Sequence, residues 1–286
     1  MKESILVREM QDSGIVSEGV SHALSKIREN FEFDFKSVKN LPYHNTEHTI
    51  NVIRRANLIL NTIHKFDPTL VTKRDISVGI LAAAFHDIVQ NWTIVDGKRK
   101  RTPGESEALS AEKLEKFMRE MNVFSEEDIF NGKNAILATI PSFDLDLGTV
   151  YQPHLTKDST PISLAVALSD INTAGIDGPS QFLDEGDRVL REENPNLLES
   201  IYSDTASENE QTEIKAKLIG GAAFQINFAQ GRKKLFEKEI DHLPKELKEI
   251  MSDLFDKFDL SISEAKRAVE KRKSMSYATL LKDFGY

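Results

Sequence analysis

Three short clusters hold the residues best suited to chemistry: Tyr43-His44-Asn45-Thr46-Glu47-His48, Phe85-His86-Asp87 and Ser169-Asp170-Ile171-Asn172. Each is attached to an apolar, helix-like pattern. Imidazole and carboxylate are the side chains that hold a divalent first-row metal, and such a metal makes a nucleophile of water near neutral pH. The chain contains no cysteine, which excludes thiolate chemistry. Taken together, the clusters read as one metal site.

His86-Asp87 is the clearest pair, because it follows Leu81-Ala82-Ala83-Ala84-Phe85 and an unpaired buried charge is costly. Alone, it would better suit a satisfied core histidine beside a locally paired Asp87. His44 and His48 are four residues apart, a spacing that puts both on one face if a continuous helix spans them. Either one read alone would suit a cap or a surface position. Asp170 falls near the end of an apolar helical run, where a carboxylate opposes the helix dipole and invites a cation, although an aspartate there is common. The order and context of all three clusters carry the metal reading.

The elements that must position these residues are helical. Apolar residues recur at helical spacing through most of the chain and strict alternation is scarce, so the expected fold class is all-α. The first expected helix covers residues 17–31, with Val20, Leu24 and Ile27 on one face. The next spans 46–64, capped by Thr46, with Ile50, Ile53, Ala56, Leu60 and Ile63 as an inward stripe. A third spans 76–89, capped by Asp75 and apolar almost all round, as befits the centre of a bundle. A polar loop at 91–103 leads to helices at 105–121 and 126–139, and an irregular stretch follows at 141–161. Pro161 starts an apolar helix over 162–173 that Gly175 ends. Charged amphipathic helices at 181–193, 208–239, 245–258 and 261–273 carry no comparable chemistry.

A chain of 286 residues without repeats, low-complexity tracts or a flexible linker suits one large helical domain over residues 1–286. Net charge of -9 and a pI near 5.4 argue against duplex nucleic acid, whose binding draws on Lys and Arg. A small soluble substrate fits better. The first ten residues lack an apolar signal core, and the best apolar run, Ile162 to Leu168, is too short to span a bilayer. The expected location is therefore cytoplasmic, with no membrane partner and with a homo-oligomer left open.

The order of the clusters resembles the HD superfamily of metal-dependent phosphohydrolases, in which a first His, an adjacent His-Asp on a buried helix and a distant Asp follow one another. Tyr43-His44-Asn45 followed by His48 is similar to the signature of the 3′,5′-cyclic nucleotide phosphodiesterases. Phe85-His86-Asp87-Ile88-Val89, Glu107-Ala108-Leu109-Ser110-Ala111 and Ile136-Leu137-Ala138-Thr139 resemble a bacterial group of HD phosphohydrolases with unassigned substrates. The resemblance covers about residues 40–195. It implies an HD-type helical bundle, with residues 196–286 as an additional helical extension. By motif it makes His48, His86, Asp87 and Asp170 the metal ligands and His44 the proton donor. Glu107 becomes a catalytic base or a partner of a ligand histidine, beside the plainer reading of an ordinary exposed helix glutamate.

There are two departures from that pattern. The bacterial group commonly has a His shortly after its Ala-Thr step, where this chain has Ile140-Pro141-Ser142-Phe143, so a second fully protein-bound metal is in doubt. The phosphodiesterases also use a glutamine to clamp a purine; Gln225 and Gln230 are the candidates here.

The implied activity is hydrolysis of a small phosphate ester or nucleotide by metal-bound water or hydroxide, with His44 as general acid and Asp87 bridging metals or orienting water. Mn, Fe, Co, Ni, Zn and Mg all suit two imidazoles and two carboxylates, one ion firmly bound and a second open. Lys98, Arg99, Lys100 and Arg101 suit either a phosphate-attracting rim or a solvated loop. Arg188 and Arg191 are weaker phosphate candidates, and Trp92 and Phe143 would either stack on a base or pack against the scaffold. The other classes are a cyclic nucleotide phosphodiesterase, a non-catalytic protein regulated by a metal or nucleotide, and an HD-type di-iron oxygenase. The last would need more histidines, and His22, His64, His154 and His242 lack motif context.

Overall fold

Helices make up most of the computed structural model, which describes residues 2–34, 37–201 and 207–286, with the side chains of 2–12, 198 and 199 outside the described set. The first half runs α1 (Lys2–Phe31), α2 (Thr46–Phe66), α3 (Lys73–Phe85), β1 (Thr93–Val95), β2 (Lys98–Lys100), α4 (Glu105–Met121), α5 (Glu126–Leu137), β3 (Ser142–Asp144) and β4 (Thr149–Tyr151). The second half is α6 (Pro161–Ile171), α7 (Thr173–Ile176), α8 (Pro179–Glu193), α9 (Pro195–Ile201), α10 (Glu208–Glu239), α11 (Lys245–Leu254), α12 (Phe258–Lys273) and α13 (Tyr277–Asp283). The fold is all-α, with two short antiparallel hairpins, β1–β2 and β3–β4. Among the described residues no helix is long and apolar enough to cross a membrane.

The central element is α3. Its Val78, Leu81, Ala82, Ala83, Ala84 and Phe85 are buried, and α1, α2, α5 and α6 pack around it. Its small residues let neighbours come close: a Cβ on Gly79 would stand 2.3 Å from the Leu60 side chain. The α6 helix is built the same way, buried from Ile162 to Ser169. At about 1.5–3 kcal/mol per fully buried Leu, Ile or Val side chain, these two helices fix the bundle. Phe236, Met251, Phe255, Phe258 and Ala265 belong to the same buried cluster, so the C-terminal helices share the core. A satellite cluster around Leu218, Val269, Leu280 and Phe284 closes that end.

Several boundaries differ from the sequence expectation for local reasons. Asn45, not Thr46, caps α2, while Thr46 hydrogen-bonds Glu32. Thr72 caps α3, and Asp75 completes a capping box three residues later. That helix stops at Phe85 rather than residue 89. Ile50 is 50% exposed; the buried face of α2 instead uses Val52, Arg55, Ala56, Ile59, Leu60 and Ile63. The 91–103 loop contains the β1–β2 hairpin, turned by Asp96 at φ 52° and Gly97 at φ 74°, the backbone that an Asp-Gly pair favours. Gly175 lies inside α7, because α6 already ends at Ile171.

One buried cation ties the bundle together. Arg55 is fully buried on α2 and reaches Asp177 (2.7 Å), Glu185 on α8 (2.6 Å) and the carbonyl of Ser169 on α6 (3.1 Å). Removing one partner of a buried pair leaves the other charge uncompensated, at a cost of about 3–5 kcal/mol. Urea unfolding of Arg55→Leu should show a loss of that size. Arg54→Ala, which removes a half-exposed partner of the same Asp177, should cost no more than about 1 kcal/mol.

Candidate metal centre

The four expected ligands come together from three helices. The Asn45 carboxamide oxygen that caps α2 accepts the His48 backbone N–H at 3.0 Å, so the cap itself sets the position of His48. His86 and Asp87 occupy the turn that ends α3, closed by a bond from Ile88 N–H to the Phe85 carbonyl. Asp170 lies in the last turn of α6, directly after the carbonyl that Arg55 holds.

The distances suit a cation. His48 Nε2 lies 3.3 Å from His86 Nε2, from Asp87 Oδ2 and from Asp170 Oδ1. His86 Nε2 lies 2.9 Å from Asp87 Oδ2 and 3.7 Å from Asp170 Oδ1. One atom from each of the four residues falls within 4.8 Å of the others. Ligand atoms about 2.0–2.2 Å from a common ion stand about 2.8–3.6 Å from their neighbours in octahedral or tetrahedral arrangements. His86 Nδ1 is 2.8 Å from the Ala83 carbonyl; donation there leaves the Nε2 lone pair facing the cluster, the usual way a protein orients a ligand imidazole. Asp87 Oδ2 is buried, and its nearest polar atoms are the ring nitrogens of His86 and His48 at 2.9 and 3.3 Å; with His86 donating from Nδ1 to Ala83, a neutral His86 has no proton at Nε2 to give it. A buried acceptor of this kind needs a partner, and a cation supplies one.

Charge compensation dominates the cluster. Burial opposes ionisation of Asp170, yet His48 and His86 hold its carboxyl down to about 2. Burial also opposes Asp87, which His86 and then His44 hold well below the usual carboxylate value. In turn, burial disfavours a charged His48 ring, but Asp170 and Asp87 raise its pKa. His86 behaves likewise, raised well above the ordinary histidine value, chiefly by Asp87. Two anions in a dry site thus draw in positive charge, whether protons or a metal ion.

His44 stands beside the cluster without belonging to it. It precedes the α2 cap, so the four-residue spacing does not place it on the helix with His48; the rings are 5.9 Å apart. Its Nε2 is 4.0 Å from Asp87 Oδ2 and its Nδ1 contacts Glu192. Glu192, buried at the end of α8, also accepts the backbone N–H groups of Tyr43 and His44 at 2.9 and 3.0 Å. Burial works against this carboxylate, but His44 and Arg101 hold its pKa down to about 2. Arg101 bonds Glu192 at 2.6 Å and Gln90 at 3.2 Å, and Gln90 in turn donates to Asp87 Oδ1 at 2.9 Å. This chain connects the His44 imidazole to Asp87, one of the four candidate ligands. Glu192 and Gln90 carried no motif signal, and in sequence the run Arg191-Glu192-Glu193-Asn194 looks like any charged helix end.

A cavity of about 480 Å³ opens beside the cluster, with His44, Asp87, Glu107, Arg101 and Asp170 in its lining. Burial raises the Glu107 pKa, and the charges of Asp87 and Asp170 add to the effect. Glu107 is not what orients His86, whose Nδ1 is held by Ala83. Of the basic run only Arg101 lines the cavity. Arg99 is buried against Trp92 and bonds the carbonyls of Val38, Asn40 and Glu192, while Lys98 and Lys100 are exposed on β2. Of these four residues the structure thus brings Arg101 alone to the cavity, while Lys98 and Lys100 point to the face of β2 opposite Arg99. Arg188 pairs with Glu47 and Asp184, and Arg191 bonds the Gly285 carbonyl. Trp92 packs against the small cluster of Ile27, Phe31 and Leu41.

Comparison with protein-family models, with curated proteins and with solved structures returned no match, so the site is interpreted on its own geometry. Titration calorimetry with Mn²⁺ or Zn²⁺ should show a saturable site that His86→Ala and Asp170→Asn each weaken by more than about 100-fold. Gln90→Ala, which removes the brace on Asp87 and its link to Arg101 but no candidate ligand, should weaken it by about 10–100-fold.

Proposed function

We propose that this chain is a metal-dependent phosphohydrolase of the HD type, acting on a small phosphate ester. The observation that carries the reading is an imidazole, His44, fixed just outside a four-ligand cluster and facing the same cavity. His48, His86, Asp87 and Asp170 would hold the divalent ion. When bound, such an ion neutralises charge on phosphate oxygens and lowers the pKa of water.

The remaining work falls to the chain's own residues. Glu192 accepts the Nδ1 proton of His44, so the second proton of the imidazolium is carried at Nε2, toward the cavity. An ester whose phosphoryl oxygens lie at the cluster would have its leaving oxygen within reach of that proton. Donation to the departing alkoxide is general acid catalysis, worth about 10²–10⁴-fold. Glu192 and Arg101 keep the ring oriented while the apolar cavity walls limit water.

Within this class, a cyclic nucleotide diester is favoured by one specific observation. Of the two glutamines weighed from sequence, Gln225 lines the cavity and Gln230 is exposed on α10. Gln225 Nε2 donates to Asp187 at 3.1 Å, and Asp187 is clamped by Arg272. Its Oε1 is buried and unpaired, an acceptor suited to a base N–H. The oxygenase reading gains no support: among the described residues, His22, His64, His154 and His242 stand outside the cluster.

The test is a leaving-group series with His44→Ala. Metal content should stay at the wild-type level. Turnover of alkyl phosphate esters should fall about 10²–10⁴-fold, and that of p-nitrophenyl esters much less, since a good leaving group needs no proton. Metal retention with equal losses across the series would remove His44 as the acid. Retention with no turnover of any ester by the wild-type protein would favour a regulatory metal site.

A further inference from the structure

The cavity beside the cluster has two chemically distinct parts. Around the cluster it is polar. Elsewhere its lining is largely apolar, with Ile171, Phe182, Val189, Leu190, Phe224 and Phe228. Three of these side chains begin a continuous aromatic track. The Phe182 ring lies 6.1 Å from Phe228, Phe228 lies 6.3 Å from Phe224, and Phe224 lies 6.1 Å from Phe143 on β3. Exposure rises along it from 4% at Phe182 to 41% at Phe224 and 48% at Phe143, so the track runs from the cavity wall at Phe182 to Phe143, which lies just outside the lining and open to solvent. Exposed phenylalanines occur elsewhere on this chain, as at Phe33 and Phe130, but Phe224 and Phe143 are in ring contact with each other and Phe224 continues into the cavity, the arrangement of a ligand surface.

The charges in the lining set a second limit. Asp87, Glu107, Asp170, Glu185 and Glu193 contribute carboxylates, and Arg101 is the one guanidinium among the described lining residues. Arg101 is already committed to Glu192 and Glu193, and Glu185 is neutralised by Arg55. A divalent ion at the cluster would be balanced by Asp87 and Asp170. One phosphoryl group can share that ion, but a second would meet carboxylates with no free cation to receive it.

We infer that the substrate carries a single phosphoryl group and an apolar, aryl-like organic group laid along Phe182, Phe228, Phe224 and Phe143. Phe143, on the β3–β4 hairpin, is then a specificity residue at the rim. Nucleoside di- and triphosphates and sugar phosphates are disfavoured, the first two for charge and the last because polyhydroxylated groups lose hydration against phenylalanine. This inference rests on the phosphohydrolase reading and adds a substrate class to it.

The test uses the metal-loaded full chain with 1-naphthyl phosphate, its methyl diester, glucose 6-phosphate and ATP, and adds calorimetric binding of non-hydrolysable 1-naphthylphosphonate. A naphthyl ester should exceed glucose 6-phosphate and ATP in kcat/KM by at least about 50-fold. Phe143→Ala and Phe224→Ala should each raise KM for that ester about 5–20-fold, with the loss concentrated in KM rather than kcat, and each should weaken naphthylphosphonate binding in parallel. Equal or better turnover of ATP or glucose 6-phosphate would overturn the inference, as would phenylalanine variants that leave the selectivity ratio unchanged. If no ester is turned over although metal is bound, the hydrolase reading fails separately. In that case naphthylphosphonate binding lost in Phe143→Ala keeps the aromatic track as a ligand site, and absence of binding removes it.

Discussion

Two carboxylates, Asp87 and Asp170, meet in a nearly dry place, and the rest of the site follows from the need to offset their charge. Burial alone would drive both to take up protons, yet the surrounding imidazoles hold them ionised. His48 and His86 lie within 3.7 Å of the Asp170 oxygen, and the same two rings lie within 3.3 Å of Asp87 Oδ2. The arrangement is electrostatically incomplete without added positive charge. A divalent cation would supply that charge, and His48, His86, Asp87 and Asp170 each offer one atom that could hold it.

The scaffold is organised to hold this arrangement. Three helix termini converge on one point: the capped start of α2, the end of α3 and the last turn of α6. Their backbones approach closely because α3 and α6 present alanine and glycine where larger side chains would keep neighbours apart. Arg55 fastens α2 to the carbonyl just before Asp170, and the chain from Glu192 through Arg101 and Gln90 braces the other side. The C-terminal helices contribute too, since α10 supplies Phe224, Gln225 and Phe228 to the cavity wall.

Most of the bundle was readable from periodicity, because buried helices such as α3 and α6 write their environment into long apolar runs. The candidate ligands were readable only in combination: His86-Asp87 or Asp170 alone suits a core or helix-end position, and the order of the three clusters singles the four residues out. Less visible was anything that depends on contacts distant in sequence. Glu192 lies about 150 residues from His44 and looks like a surface glutamate until the fold buries it. Arg99 and Arg101 belong to one basic run, yet the hairpin turns Arg99 into the scaffold and leaves Arg101 at the cavity. The hairpins themselves were hidden by their three-residue strands, too short for alternation to register, although Asp96-Gly97 was a usable turn signal. Ile50 misled for a related reason, since the true inward face of α2 is centred on Arg55, a residue that hydropathy places outside.

X-ray absorption at the metal edge of the zinc- or cobalt-loaded protein addresses the central claim most directly. The account predicts imidazole scattering from two histidines together with oxygen neighbours at about 2.0–2.2 Å, reduced to one imidazole in His86→Ala. A spectrum without histidine scattering, or one that His86→Ala leaves unchanged, would contradict it.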